Sequence, residues 1–297
     1  MVLIHYKRNK NDQFIISMPA STPISSLRKE LAEVNNLRIK LDKLIQSMQG
    51  LISHGPLRPE SLRGLTQPET MEPAIENLPK EHLPWARVGT LDSNRELRPD
   101  ETGYRTGVAP SVSISEKCMS QIAPFLDLLS PALADKRKTI SKQQLEEAID
   151  QIRGAMWIVY PGYNSLPPWE TAVLILEDKA NFSSQWPDCG WLSPEKCSVW
   201  WAKKELGVNK VLSDYIGKNE KTKIIVKITG TGKGAPMAEP PIDEETHKKM
   251  MSYYYKKQEQ QKKLEENYEN DYLNSPWANP NHLKNQMVNG GQGIRWK

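Results

Sequence analysis

The stretch Ser213 to Pro241, SDYIGKNEKTKIIVKITGTGKGAPMAEPP, is where this sequence comes nearest to recognisable chemistry. It holds two Gly-Lys pairs, and Gly-Lys ends the loop that cradles a nucleotide phosphate. That loop needs G-x-x-x-x-G-K-[ST] between a strand and a helix, so that backbone N–H groups and a helix N-terminus converge on the phosphates. Here Gly232-Lys233 is followed by Gly234, and the position five before Gly232 is Lys227. Gly217-Lys218 is followed by Asn219. No helical pattern follows until Asp243, beyond Pro240 and Pro241. The expectation is therefore no tight nucleotide binding. Gly217 to Glu220 reads as a turn into a strand, and GTGKGAP as a flexible exit.

Other catalytic residue types are scattered. Cys189 and Cys197 have seven residues between them, Cys118 lies far upstream, and no histidine is nearby. Zinc sites need closer spacing and four ligands, so these cysteines read as packed free thiols. His5, His54, His82, His247 and His282 belong to no metal motif, and no G-x-S-x-G or Cys/His nucleophile pattern occurs. Glu146 and Glu147 fall on the outer side of their helix. The residues predict no enzyme, no metal and no cofactor.

Composition agrees. The 297 residues are 38% hydrophobic and include 22 prolines, with 40 basic against 36 acidic residues for a net charge of +4. Modest cores joined by polar segments fit this better than one large enzyme core. The charge balance is too even to imply nucleic acid. No apolar run is long enough for membrane insertion, and MVLIHYKRNK has the reverse order of a secretory signal. Three cysteines fit a reducing compartment.

The elements follow from periodicity. Residues 2–9 and 13–18 flank the polar turn NKND, which predicts a hairpin. Thr22 as N-cap and Pro23 as first residue open a helix with Ile24, Leu27, Leu31 and Val34 inward, ended by Asn35-Asn36. A second helix carries Leu41, Leu44, Ile45, Met48, Leu51 and Ile52, and Gly55-Pro56 stops it. Ser141 and Gln144 form a capping box for a helix that Gly154 breaks. MWIVY, TAVLILED (171–178) and TKIIVKI (222–228) read as strands, and SPEKCSVWWAKKEL (193–206) as a helix. The strand at 222–228 is expected to pair with 155–160, with Ile225 internal. Residues 243–269 form one long polar helix whose thin stripe is Met250, Tyr254, Leu264 and Tyr268.

Four regions result: 1–54, a ββα unit plus helix; 55–135, a Pro/Gly-rich connector with short helices; 136–242, a central ββαβ domain; and 243–297, a long polar helix with an aromatic tail. The fold class is α+β. The opening order resembles a ubiquitin-like β-grasp, and LSDYIGKNEKTKIIVKI resembles the last part of ubiquitin.

Nine tryptophans are many for so small a core. Trp157, Trp200 and Trp201 lie in regular patterns and read as core. Trp85, Trp277 and Trp296 lie in Pro- or Asn-rich segments, where a large aromatic docks on its own chain or anchors a partner. In YLNSPWA, Tyr272, Leu273 and Trp277 stand close together and Pro276 restricts the chain, which marks these four residues as a candidate partner-binding element.

Several blocks, in order along the chain, carry a wider resemblance: MVLIHYKR, GLTQPE, AIDQIRGAMWIVYP, WWAKKEL, LSDYIGKNEKTKIIVKI, GKGAPMAEP, LEENYENDYLNSPWA and the ending GIRWK. Together they resemble the Kurly family of cilia- and flagella-associated proteins. That resemblance implies a non-enzymatic adaptor or scaffold acting in cilium motility and outer dynein arm assembly. It implies residence in the cytoplasm, the cytoskeleton, and the cilium or its basal body. The partners it implies are proteins, either dynein-arm assembly factors or axonemal components, with no nucleic acid. A ubiquitin-like adaptor in protein quality control and a microtubule-associated structural protein are the alternative readings.

Overall fold

The computed structural model describes residues 1–86, 94–161, 166–230, 234–236 and 244–274, with Asn281, Lys284, Met287 and Val288. The elements in chain order are β1 (Val2–Lys7), β2 (Gln13–Met18), α1 (Ile24–His54), α2 (Pro68–Glu76), β3 (Arg95–Leu97), β4 (Val108–Pro110), α3 (Val112–Leu129), α4 (Ala132–Asp135), α5 (Lys142–Val159), α6 (Thr171–Leu176), α7 (Phe182–Gln185), β5 (Cys197–Trp201), β6 (Lys204–Glu205), α8 (Ser213–Ile216), β7 (Lys223–Gly230) and α9 (Glu244–Asn274). The chain divides into two compact units, Met1–Pro236 and Met237–Lys297. The regions read as 1–54, 55–135 and 136–242 thus fall almost wholly within the first unit.

The NKND turn forms as expected: Asn9 Oδ1 accepts from the backbone N–H of Asn11 and Asp12, and β1 and β2 pair antiparallel. β7 then enters beside β1 in parallel, with Ile4 opposite Ile224 and Tyr6 opposite Val226. On its other side β7 pairs antiparallel with β5, giving the order β2-β1-β7-β5-β6. A hairpin, a helix against the sheet and a late strand inserted parallel to β1 make a ubiquitin-like β-grasp arrangement. The two stretches with ubiquitin-like character, at the N-terminus and before residue 230, meet in this one sheet. Val2, Ile4, Tyr6, Phe14, Ile224 and Val226 join the buried stripe of α1 in the main core.

The strand at 222–228 forms as β7, but its partners are β1 and β5. Residues 155–159 belong to α5. Ile225 faces outward and is 53% exposed, while Ile224 and Val226 are buried. An aspartate at 225 meets water, not the core, and costs only the small amount typical of surface changes.

Helix α1 is one rod of 31 residues, longer than the two pieces the sequence suggests. Asn35 and Asn36 do not end it. Their side chains reach sideways: Asn35 Nδ2 donates to the Gly190 carbonyl, and Asn36 both donates to the Leu192 carbonyl and accepts from the Leu192 N–H. Pro23, not Thr22, is the N-cap, because the Thr22 hydroxyl donates back to the Pro19 carbonyl. Gly55 does close the helix, with φ 76°, and a Cβ there would collide with the Val108 carbonyl oxygen.

Three further elements differ from expectation. TAVLIL is helix α6, since a short continuous apolar run satisfies a buried helix as well as a strand. Helix α5 keeps its capping box, with Gln144 N–H donating to Ser141 Oγ and Ser141 N–H to Gln144 Oε1. It then runs through Gly154 to Val159. The segment 193–206 is the β5–β6 hairpin, not a helix. Its two-residue turn is Ala202-Lys203, at φ 47° and 66°. Two positive φ values are what a tight hairpin turn matched to strand twist requires, yet neither residue is the Asn or Gly that signals it.

That turn yields a prediction. Replacing Ala202-Lys203 by Asn-Gly removes the left-handed penalty of two ordinary residues, each about 1–2 kcal/mol at most. The double variant should unfold at higher urea than the native chain. A lower midpoint would mean that the hairpin turn is not of this type.

Candidate functional site

The residues first considered for chemistry are not assembled into a site. β7 ends at Gly230 and the next helix starts at Glu244, while Gly232 and Lys233 lie outside the described residues. Gly217 closes α8 at φ 78°, consistent with a turn before β7. Cys118 and Cys197 are buried free thiols, and burial pushes both thiols up in pKa. Among the described residues no three His, Cys, Asp or Glu side chains cluster as metal ligands.

Buried polar side chains hold the connector to the body. Glu170 is fully buried just before α6. Its carboxylate accepts from Leu57 N–H at 2.8 Å and Ser47 Oγ at 3.3 Å, with Arg105 Nη1 at 3.6 Å. Burial pushes its pKa up, and Arg105 with the two hydrogen bonds opposes that shift. Arg105 also donates to the Gly55 carbonyl at 2.6 Å. One carboxylate thus fixes α1, the strap at 55–57 and the turn at 105. Arg38, on α1, donates to the Leu129 carbonyl at the end of α3, to the Gln13 carbonyl and to Asp12 Oδ1. Its guanidinium lies over the Phe14 ring at 4.9 Å. The hydrogen bonds of both groups go to distant parts of the first unit, which gives each an architectural role.

The outer face of β1 and β2 carries a third tie. His5 Nε2 lies 3.1 Å from Gln13 Oε1, and Gln13 Nε2 donates to Asp135 Oδ1 at 3.2 Å. Edge strand β2 is covered where Ile140 N–H donates to the Ile15 carbonyl, which removes an open sheet edge.

Surfaces are more telling than interiors. Trp157, read as core, and Ile158, read as part of a strand, are 55% and 74% exposed on the outer side of α5. The apolar run AMWIV is longer than the buried stripe: Ile152, Ala155 and Met156 face in at helical spacing, so the next two residues face out. Beside Ile158, a shallow apolar groove between α3 and α5 is lined by Ile122, Phe125, Gly154 and Ala155. A run of apolar residues exceeding one helix face was the signal available in the sequence. Trp85, by contrast, packs edge-on against Trp169 at 5.4 Å, docking on its own chain. Trp200 and Trp201 are half-buried on β5, Trp200 donating to Thr229 Oγ1 at 2.8 Å.

In the second unit, every described side chain of α9 from Glu245 to Leu264 is exposed, including Met250, Tyr254 and Leu264. Glu259 and Lys263 pair at 3.2 Å, one turn apart. Of the four candidate docking residues, Tyr272 and Leu273 occupy the last turn of α9, and Pro276 and Trp277 lie outside the described residues.

The His5 tie gives a pH-dependent prediction. Burial, partly offset by the Gln13 hydrogen bond, holds its pKa below the usual imidazole value. The unfolded chain, at about 6.5, takes the proton first. The stability His5 contributes is therefore complete above about pH 6.5 and is lost as pH falls toward the lower folded value. Urea midpoints from pH 7.5 to 5 should fall less steeply in His5→Gln than in the native chain. Identical slopes would show that His5 titrates the same way in both states.

With the geometry in place, comparison with known proteins assigns the family. The family model described as "Cilia- and flagella-associated protein 298" matches residues 197–292, from β5 through the tail. The human protein of that name is 36% identical over 297 residues, covering 100% of this chain and 99% of its own. A Xenopus laevis relative named cilia- and flagella-associated protein 298-A is 36% identical with the same coverage. The Danio rerio protein is 36% identical over 296 residues. No solved structure matches. This chain belongs to the cilia- and flagella-associated protein 298 family.

Proposed function

We propose that this protein is a non-enzymatic adaptor of motile cilia that serves cilium motility through outer dynein arm assembly. The partners proposed are proteins, either assembly factors or axonemal components. It works in the cytoplasm, and at the cytoskeleton or basal body, as well as in the cilium. The observation that carries this reading is the end-to-end match to proteins named for cilia and flagella, on a chain whose buried polar groups are spent on architecture. The arrangement supports it further. The first unit is a braced body with an apolar outer face at Trp157 and Ile158, and the second offers a long helix with exposed Tyr and Met side chains. Aromatic side chains of that kind anchor protein partners.

In this reading Tyr272, Leu273, Pro276 and Trp277 form the docking element at the end of α9. Pro276 restricts the chain before binding, so less conformational entropy is lost on docking. Trp277→Ala should cut capture of outer-arm dynein subunits from ciliated-cell extract by about 30-fold or more, as loss of an interface hot spot does. Its melting temperature should stay that of the native chain. Normal capture with a lowered melting temperature would instead make Trp277 a part of the protein's own packing and remove the docking element.

A further inference from the structure

One cleft of the first unit gathers cationic side chains that no acid pairs. Ser25, Arg28 and Lys29 on α1 line one wall, and Ser193, Glu195 and Lys196, just before β5, line the other. Its volume is about 500 Å³, within the range of ligand-binding clefts. Arg28 is half-buried, and its Nε is buried with no hydrogen-bond partner. Among the described residues, neither Arg28 nor Lys196 forms an ion pair or a side-chain hydrogen bond. Lys29 reaches only Glu33, at 4.0 Å. Glu195 shares the cleft yet forms no ion pair with these cations. A partly desolvated charge without a counter-ion is unfavourable. Elsewhere in this unit the need is met, since Arg38 and Arg105 each reach a carboxylate.

Both walls are held by packed elements. Arg28 follows Leu27, which is fully buried in the main core, and Lys196 precedes Cys197, buried at the start of β5. Lys196 N–H donates to the Ser193 carbonyl at 3.0 Å, and Cys197 Sγ to the Pro194 carbonyl at 3.6 Å. Groups placed in advance lose less entropy on binding. The start of α1 adds donors to what the side chains define. Its first turn has no acidic residue and no side-chain cap. The N–H groups of Ser25 and Ser26 donate to no acceptor among the described residues, at the positive end of the helix dipole.

We infer that this cleft receives a phosphorylated serine or threonine of a partner protein, with Arg28 and Lys196 meeting the phosphate from the two walls. A phosphomonoester brings close to two negative charges and three acceptor oxygens. Two unpaired cations, with the Ser25 and Ser193 hydroxyls beside them, match that better than they match a carboxylate. The cleft is larger than a phosphate needs: at ~30 Å³ each it has room for about seventeen waters. Flanking peptide residues therefore fit beside the phosphate. Glu195 on the rim repels a continuous run of phosphates, as on a nucleic acid or an anionic membrane. This site lies apart from the tail residues of the adaptor reading, so either can fail while the other stands.

The test measures capture of the full chain by immobilised pools of degenerate peptides that differ only at a central position. That position is phosphoserine, serine or glutamate. The phosphoserine pool should capture at least ten times more than either other pool. Arg28→Gln and Lys196→Gln should each remove the preference, as loss of a charge-assisted contact does. Lys218→Gln, at an exposed lysine outside the cleft, should keep it. Lys196 is exposed, so its variant tests the cleft even where Arg28→Gln fails to fold. Equal capture by the phosphoserine and serine pools overturns the inference, as does a preference that survives Lys196→Gln. Glutamate capturing as well as phosphoserine marks a carboxylate site and also overturns it. Inorganic phosphate should compete at least ten-fold less well than the soluble phosphoserine pool. Equal competition would make the ligand a free anion and remove the partner protein.

Discussion

The structure depends on the backbone pairing of β7 with β1. Parallel neighbours cannot be joined by a tight turn; they need a long crossover. Here the crossover is everything between Lys7 and Lys223. Leu3 N–H donates to the Thr222 carbonyl at 3.0 Å, and the ladder continues to Tyr6 and Val226. Once β7 occupies that slot, β5 has a partner, β6 can fold beside it, and the face carrying Ile4, Ile224 and Val226 can close on α1. The long intervening chain must then be packed around a sheet whose two central strands come from opposite ends of the first unit. Asn35, Asn36, Arg38 and Glu170 answer that need, each spending a buried or half-buried polar side chain on a distant piece of backbone.

Those braces explain which parts of the fold were legible in the sequence. The N-terminal hairpin, the capping box at Ser141, the helix stop at Gly55 and the strand at 222–228 carry local signals, and each forms. The misread elements have their cause outside the local sequence. Asn35-Asn36 resembles a helix end because asparagine competes with the backbone, but here the amides are engaged by residues 190–192. Ala202-Lys203 lacks turn chemistry and is held in positive φ by the strands on either side. TAVLIL and MWIV are apolar runs too short to show their period, and burial against α1 and α3 settles them as helix. No periodicity could show that β7 would pair with β1, since that is a fact about residues more than 200 positions apart.

The candidate site was legible in a different way. The expectation of no phosphate loop rests on Gly234 after Lys233 and on Lys227 five before Gly232. The aromatic tail is a reading of the sequence alone, since Pro276 and Trp277 lie outside the described residues. The outer face of α5 was hidden, because Trp157 and Ile158 look like core until the helix phase is known. Conspicuous apolar side chains lie outside on α5 in the first unit and on α9 in the second. The adaptor role proposed above would use surfaces of that kind.

The central claim is that residues near the two ends of the first unit form one cooperative sheet, and native-state hydrogen exchange tests it most directly. Amides of β1 and β7 should be the most protected in the chain and should open with the same free energy and the same denaturant dependence, as one unit. If the hairpin of β1 and β2 opened independently of β7, with a separate free energy and denaturant slope, the parallel pairing would not be the interaction that holds the fold.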